Sequence, residues 1–151
     1  MMQEAWPEME KMIKNQPRND ENLKPVFQLI ANNVAKHKKR LGGHFAIAQA
    51  VPSRYLRDCI KEVLGPDCIC VVLRLSKETN AKRVEARHGG GDKEVAQKTI
   101  DFLNGIYEIY EDAQPDEEHC VTVHIGPEDT REDVANNILK KVEDFGFNIE
   151  I

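Results

Sequence analysis

The chain has 151 residues, 40% of them apolar and 31% charged, the make-up of an ordinary globular domain with enough length for a core. A formal net charge of -5 argues against a general nucleic-acid binder, and no apolar run approaches the ~20 residues that a membrane span needs. Four cysteines without a Cys-x-x-Cys pair, behind an acidic amino terminus lacking a signal peptide's apolar stretch, point to reduced thiols and a cytoplasmic address.

In chain order, residues 4–15 place Trp6, Met9, Met12 and Ile13 on one stripe, which predicts a short helix that Pro17 stops. Asn19 or Asp20 can cap a second helix, in which Val26, Phe27, Leu29, Ile30 and Val34 keep helical spacing over about 23–39. Lys36, Lys38, Lys39 and Arg40 suit the negative end of that helix, and Gly42-Gly43 closes it. Residues 44–51 (HFAIAQAV) read as a strand. Pro52-Ser53 then starts a third helix with Tyr55, Leu56, Cys59, Ile60 and Val63 inward, while Arg54 and Arg57 share a face. Gly65-Pro66 ends it.

Residues 67–91 form the central unit of the pattern. The stretch 68–75 is almost unbroken in apolar and β-branched residues, as in a strand buried on both faces of a parallel sheet. Cys68 and Cys70, two apart, read as small core residues facing one way. Ser76 or Thr79 can cap the helix that follows, with Glu78 in its first turn. That helix carries Arg83 and Arg87 on one face and runs into Gly89-Gly90-Gly91, a plausible way to hold phosphate.

Residues 93–110 give the longest helix, with Ile100, Leu103, Ile106, Tyr107 and Tyr110 toward the core. Residues 119–125 (HCVTVHI) read as a strand, 126–130 as a turn and 131–145 as a last helix, with 147–151 as a short edge strand. His119 and His124 stand five apart and point to opposite faces of their strand, so no metal site is expected there. Strands alternating with helices imply right-handed crossovers and a parallel sheet flanked by helices on both faces. The expected class is α/β, as a single domain over 1–151.

Three stretches in order resemble small P-loop kinases of the gluconokinase and shikimate kinase branch. Pro17-Arg18-Asn19-Asp20-Glu21-Asn22-Leu23-Lys24-Pro25-Val26-Phe27 is similar to that family's P-x-N-D-x-D-R-x-P-W-L. Ala50-Val51-Pro52-Ser53-Arg54-Tyr55-Leu56-Arg57-Asp58 resembles its A-L-K-x-x-Y-R-D, one residue longer, and Arg83-Val84-Glu85-Ala86-Arg87-His88-Gly89-Gly90 its lid helix R-L-x-A-R-x-G-H-F-F. The chain departs from the family at Leu23, Val26 and Pro52, where Arg, Trp and Lys are usual, and it lacks the aromatic pair after the lid glycine.

The resemblance implies roles. Arg83 and Arg87 would be catalytic lid residues that contact nucleotide phosphates or stack on adenine, and Pro127 would pack against the base. Asn19, Asp20, Arg54 and Arg57 would hold a small-molecule acceptor. Each has a plainer reading beside it. Asn19 and Asp20 also suit a helix cap, Arg54 and Arg57 suit ion pairs with Asp58 or Glu62, and Arg83 and Arg87 suit a solvated helix face. Pro127 also suits a simple turn.

The family's phosphate loop, G-x-x-x-x-G-K-[ST], has no counterpart in these residues, and neither does the central strand before it. Phosphoryl transfer rests on positioning and charge stabilisation, so the expectation is a kinase-like domain inactive as an ATP phosphotransferase in this form. ATP and Mg are expected as cofactors only if a longer form supplies that loop; such a form would phosphorylate a hydroxyl of a small molecule. The gap left by the absent strand has three expected outcomes: the flanking strands close up, another segment or subunit fills it, as in a homodimer, or the chain is a fragment. Two alternatives stand beside this reading, a non-catalytic binding or assembly module on a kinase scaffold and a nucleoside monophosphate kinase relative. No nucleic-acid or membrane partner is expected.

Overall fold

The computed structural model of the chain describes residues 7, 11–12, 14, 16–17, 19–88, 91 and 93–147. The helix expected over 4–15 and the edge strand expected over 147–151 lie for the most part outside them, as does the side chain of Ile106. The protein is mixed α/β and divides into two compact units, Met1–Cys68 and Ile69–Ile151.

The first unit is built on two helices, α1 (Asp20–Leu41) and α2 (Arg54–Leu64). Asn19 caps α1 by accepting from the Asn22 N–H at 2.9 Å, while Asp20 and Glu21 place negative charge at its positive end. Pro25 lies inside α1, in its second turn, where its missing N–H forgoes the bond to the Glu21 carbonyl, and the helix continues to Leu41. Gly42 ends it at φ 68°, a backbone state glycine enters without penalty, and its N–H satisfies the Lys38 carbonyl at 2.8 Å. Helical spacing puts Val26, Phe27 and Ile30 on one face of α1, where they bury against Leu56 of α2, which is 0% exposed. Tyr55, expected inward, is exposed instead: it stands one position from Leu56 and so turns off the buried stripe, where Lys24 lies over its ring.

The second unit runs β1 (Cys70–Leu75), α3 (Lys77–His88), α4 (Lys93–Ile109), β2 (Cys120–Ile125) and α5 (Arg131–Glu143). β1 and β2 pair in parallel in the register Cys70↔Cys120 to Leu75↔Ile125. One face of this ribbon is therefore wholly aliphatic, with Val71, Leu73 and Leu75 beside Val121, Val123 and Ile125. α3 and α4 pack on one another through Val84, Ala96 and Ile100, and α5 packs on β2. Arg74 crosses to α4: its guanidinium lies 4.2 Å from the Tyr107 ring centroid, donates to the Tyr107 carbonyl at 3.3 Å and meets Asp112 at 3.0 Å.

The expected extent of the sheet needs correction. Among the described residues it has two strands, and residues 44–51 are not one of them. That segment is mostly exposed, and its small residues Ala46, Ala48 and Ala50 bury little and have low strand propensity. Without a ladder partner an extended segment gains none of the hydrogen bonds that define a strand. In β1 the Cys70 N–H bonds the His119 carbonyl at 2.9 Å, so alternation aims the main-chain groups of Val71, Leu73 and Leu75 at the edge away from β2.

Candidate functional site

In the second unit, the residues of interest lie past the carboxyl ends of the two parallel strands, where α/β folds bind ligands. Ser76 follows β1 directly and caps α3, accepting from the Thr79 N–H at 3.0 Å; the Thr79 hydroxyl, 2% exposed, meets the Ser76 hydroxyl at 2.9 Å. This cap fixes where α3 starts and hence which way Arg83 projects. Two turns on, the Arg83 guanidinium donates to the Asp129 carbonyl at 3.0 Å and to the Gly126 carbonyl at 3.4 Å. Those two carbonyls bracket Pro127.

The loop receiving Arg83 is itself braced. The Asp129 carboxylate accepts the Gly126 N–H at 2.7 Å, closing the turn after β2. Thr130 then caps α5 in a reciprocal arrangement, its hydroxyl taking the Asp133 N–H at 3.1 Å while the Asp133 carboxylate takes the Thr130 N–H at 2.9 Å. These bonds from Thr130 hold the Asp133 carboxyl below its ordinary value of 3.8. Arg87 lies one turn beyond Arg83, exposed, in the last turn of α3. Gly91 donates to the His88 carbonyl at 2.8 Å, whereas Gly89 and Gly90 of the glycine loop are outside the described residues.

The acceptor residues expected from the sequence all belong to the first unit. Asn19 spends its side chain on the α1 cap. Asp20 accepts from the Ser53 hydroxyl at 2.7 Å, and Ser53 in turn takes the Leu56 N–H at 3.3 Å as the cap of α2. A carboxylate is thereby fixed at the positive end of α2, whose first turns carry Arg54 and Arg57. Arg54 is half-buried and pairs with Asp58 at 3.5 Å along the helix. Arg57 is 2% exposed, a guanidinium enclosed within the protein. Periodicity assigns Arg57 only a face, so its burial is a feature the sequence did not signal. Ser53, also buried, carried a signal: Pro-Ser ahead of an apolar helical run marks a cap.

Other candidates resolve as structural. His119 sits at φ 50° with its ring edge-on to Phe145 and Phe147, and His124 is exposed. The cysteines at 59, 68, 70 and 120 are not joined in disulfides, and burial raises the pKa of the Cys59 thiol. Among the described residues no group of three His, Cys, Asp or Glu is placed to hold a metal ion, and no helix is long and apolar enough to cross a membrane. Comparison with protein-family models, with curated proteins and with solved structures gives no match for this chain.

Proposed function

We propose that the chain is a kinase-like nucleotide-binding domain of the gluconokinase type that, without a phosphate loop in residues 1–151, does not transfer phosphate in this form. The observation that carries this reading is the contact of Arg83 with the carbonyls of Gly126 and Asp129, which draws α3 against the loop bearing Pro127 at the ligand-binding end of the strands. An arginine bonded to the carbonyls of Gly126 and Asp129, on the loop that carries Pro127, supports a flat slot for a base, with a guanidinium to stack on one side and an apolar ring to offer on the other. Arg87, one turn further on, supplies positive charge for phosphates. Arg54 and Asp20 would hold a small polar acceptor in a polypeptide that also supplied the phosphate loop and Mg·ATP, whereas Arg57, 2% exposed, serves the interior of the first unit.

A nest of backbone N–H groups normally meets the β- and γ-phosphates, and no Gly-x-x-x-x-Gly-Lys-Ser/Thr is present to form one. The base and the first phosphate therefore supply most of the binding, and the terminal phosphates add little. A thermal-shift screen of nucleosides, mononucleotides, triphosphates and sugar acids tests this. The reading predicts stabilisation by adenine nucleotides regardless of phosphate number; stabilisation by none of them overturns it, and a purine-monophosphate preference as acceptor moves the chain to the nucleoside monophosphate kinases.

A second reading, a non-catalytic binding or assembly module, is favoured by one observation. Val26 is 4% exposed and Leu23 packs against its cluster. Two positions where the resemblance has acceptor-orienting groups thus serve the core of the first unit.

A further inference from the structure

Each strand of the second unit opens on a cysteine, and the register sets Cys70 of β1 directly beside Cys120 of β2. In the chain the two are separated by all of α3 and α4. Neighbouring strands lie about 4.8 Å apart and register partners project to the same face, so the two thiols stand side by side on one face of the ribbon. Residues that form disulfides have Cα atoms about 4.4–6.8 Å apart, a window that includes this spacing. The Cys70 N–H also bonds the carbonyl of His119, the residue before Cys120, at 2.9 Å, which holds the strands together at the cysteines themselves. Cys70 is half-buried and Cys120 buried. Spacing along the chain puts Cys70 with Cys68, and only the fold gives it Cys120.

We infer that Cys70 and Cys120 form a reversible dithiol–disulfide pair, oxidised by a small disulfide of the glutathione class and reduced again by the corresponding thiol. The half-buried Cys70 reacts first. Its thiolate attacks one sulfur of glutathione disulfide, the S–S bond of that molecule breaks, and one glutathione leaves as a thiolate. The Cys120 thiolate then attacks Cys70 Sγ, which forms the Cys70–Cys120 bond and expels the second glutathione. The protons given up by the two cysteines end on the two glutathione thiolates. Two protein thiols and one glutathione disulfide thus become one protein disulfide and two glutathione thiols, the cysteines being oxidised and the glutathione reduced.

Strand geometry makes this bridge a labile one. Side chains stand roughly perpendicular to a sheet, so the two Cβ atoms sit near the strand spacing, whereas a relaxed disulfide brings them to about 3.8 Å. Closing that gap stores strain, and strained disulfides are the readily reduced kind that serve as switches. Once closed, the bond joins the two ends of residues 71–119 and so restricts the unfolded chain across α3 and α4.

The pair is independent of any nucleotide, and its test reads sulfur chemistry and unfolding alone. The full chain is equilibrated in glutathione buffers, quenched with acid, alkylated in denaturant and mapped by mass spectrometry. With reduced glutathione in about hundredfold excess all four cysteines take the label, and with glutathione disulfide in about tenfold excess a peptide pair joining Cys70 to Cys120 replaces two of them. Reduced glutathione added back restores the dithiol. Cys68→Ser keeps the bridge, whereas Cys70→Ser and Cys120→Ser lose it. The oxidised parent unfolds at a higher urea concentration than the reduced one, and Cys120→Ser shows no such difference. The proposal is overturned by a parent that forms no bridge in glutathione disulfide, or by glutathione adducts on Cys70 that never resolve to one. A Cys68–Cys70 bond as the main product, a bridge that reduced glutathione fails to open, or an oxidised parent no harder to unfold than the reduced one overturns it equally.

Discussion

Arg83 and Asp129 stand 46 positions apart in the chain, yet the guanidinium of one donates to the main-chain carbonyl of the other at 3.0 Å. The contact ties the helix after β1 to the loop after β2, the two connections that leave the carboxyl end of the ribbon. Because Arg83 also reaches the Gly126 carbonyl, one side chain sets the spacing between α3 and Pro127.

Replacing Arg83 by Ala removes both bonds from an exposed site and is expected to lower stability by about 0.5–1.5 kcal/mol in urea denaturation. Arg87→Ala, one turn on, is expected to stay within about 0.5 kcal/mol of the parent. If both also weaken adenine-nucleotide binding, Arg87 acts on the ligand alone, whereas Arg83 acts on ligand and loop together.

The enclosed guanidinium of Arg57 makes the opposite contrast with Arg54. An arginine stays charged at any working pH, so Arg57 can be 2% exposed only if acceptors meet it. Arg57→Ala strands those acceptors and is expected to cost about 3–5 kcal/mol, and Arg57→Met, which keeps the volume, somewhat less. Arg54→Ala removes a partly exposed guanidinium that pairs with Asp58 along the helix, and it is expected to cost less than about 1 kcal/mol. Equal costs for Arg54 and Arg57 in equilibrium unfolding contradict this assignment.

Ser53 joins the two helices of the first unit, since its hydroxyl caps α2 and donates to Asp20. Ser53→Ala loses both bonds, with an expected cost of about 1–2 kcal/mol. Ser53→Thr keeps a hydroxyl and should recover most of it. A neutral Ser53→Ala chain shows that the Asp20 contact contributes nothing.

The pH dependence follows from Asp133. Its folded pKa lies below the ordinary 3.8 because the Thr130 side chain and backbone donate to the carboxylate. Its stabilisation is therefore complete above the unfolded value and fades as pH falls through the folded one. Thr130→Ala removes the cap, at about 1 kcal/mol near neutrality. The gap between Thr130→Ala and the parent should narrow below about pH 4 as Asp133 takes up its proton. A gap that stays constant to pH 2.5 means that the reciprocal cap carries no charge-dependent part.

Much of this was legible locally. The almost unbroken apolar run of β1, the caps Asn19 and Ser53, and the glycine stop at Gly42 each follow from a few adjacent residues. Segment 44–51 misleads because its composition suits a strand, while pairing depends on a distant neighbour and among the described residues no strand pairs with it. The Arg83 contacts and the burial of Arg57 depend on partners that helical spacing does not name.

The central claim is a nucleotide slot without a phosphate cradle, and calorimetric titration of the full chain tests it most directly. AMP and ATP should bind within about threefold of one another, with or without Mg, and Arg83→Ala should weaken both alike. Tight binding of ATP that depends on Mg, far above that of AMP, or the absence of binding by either nucleotide, contradicts the account.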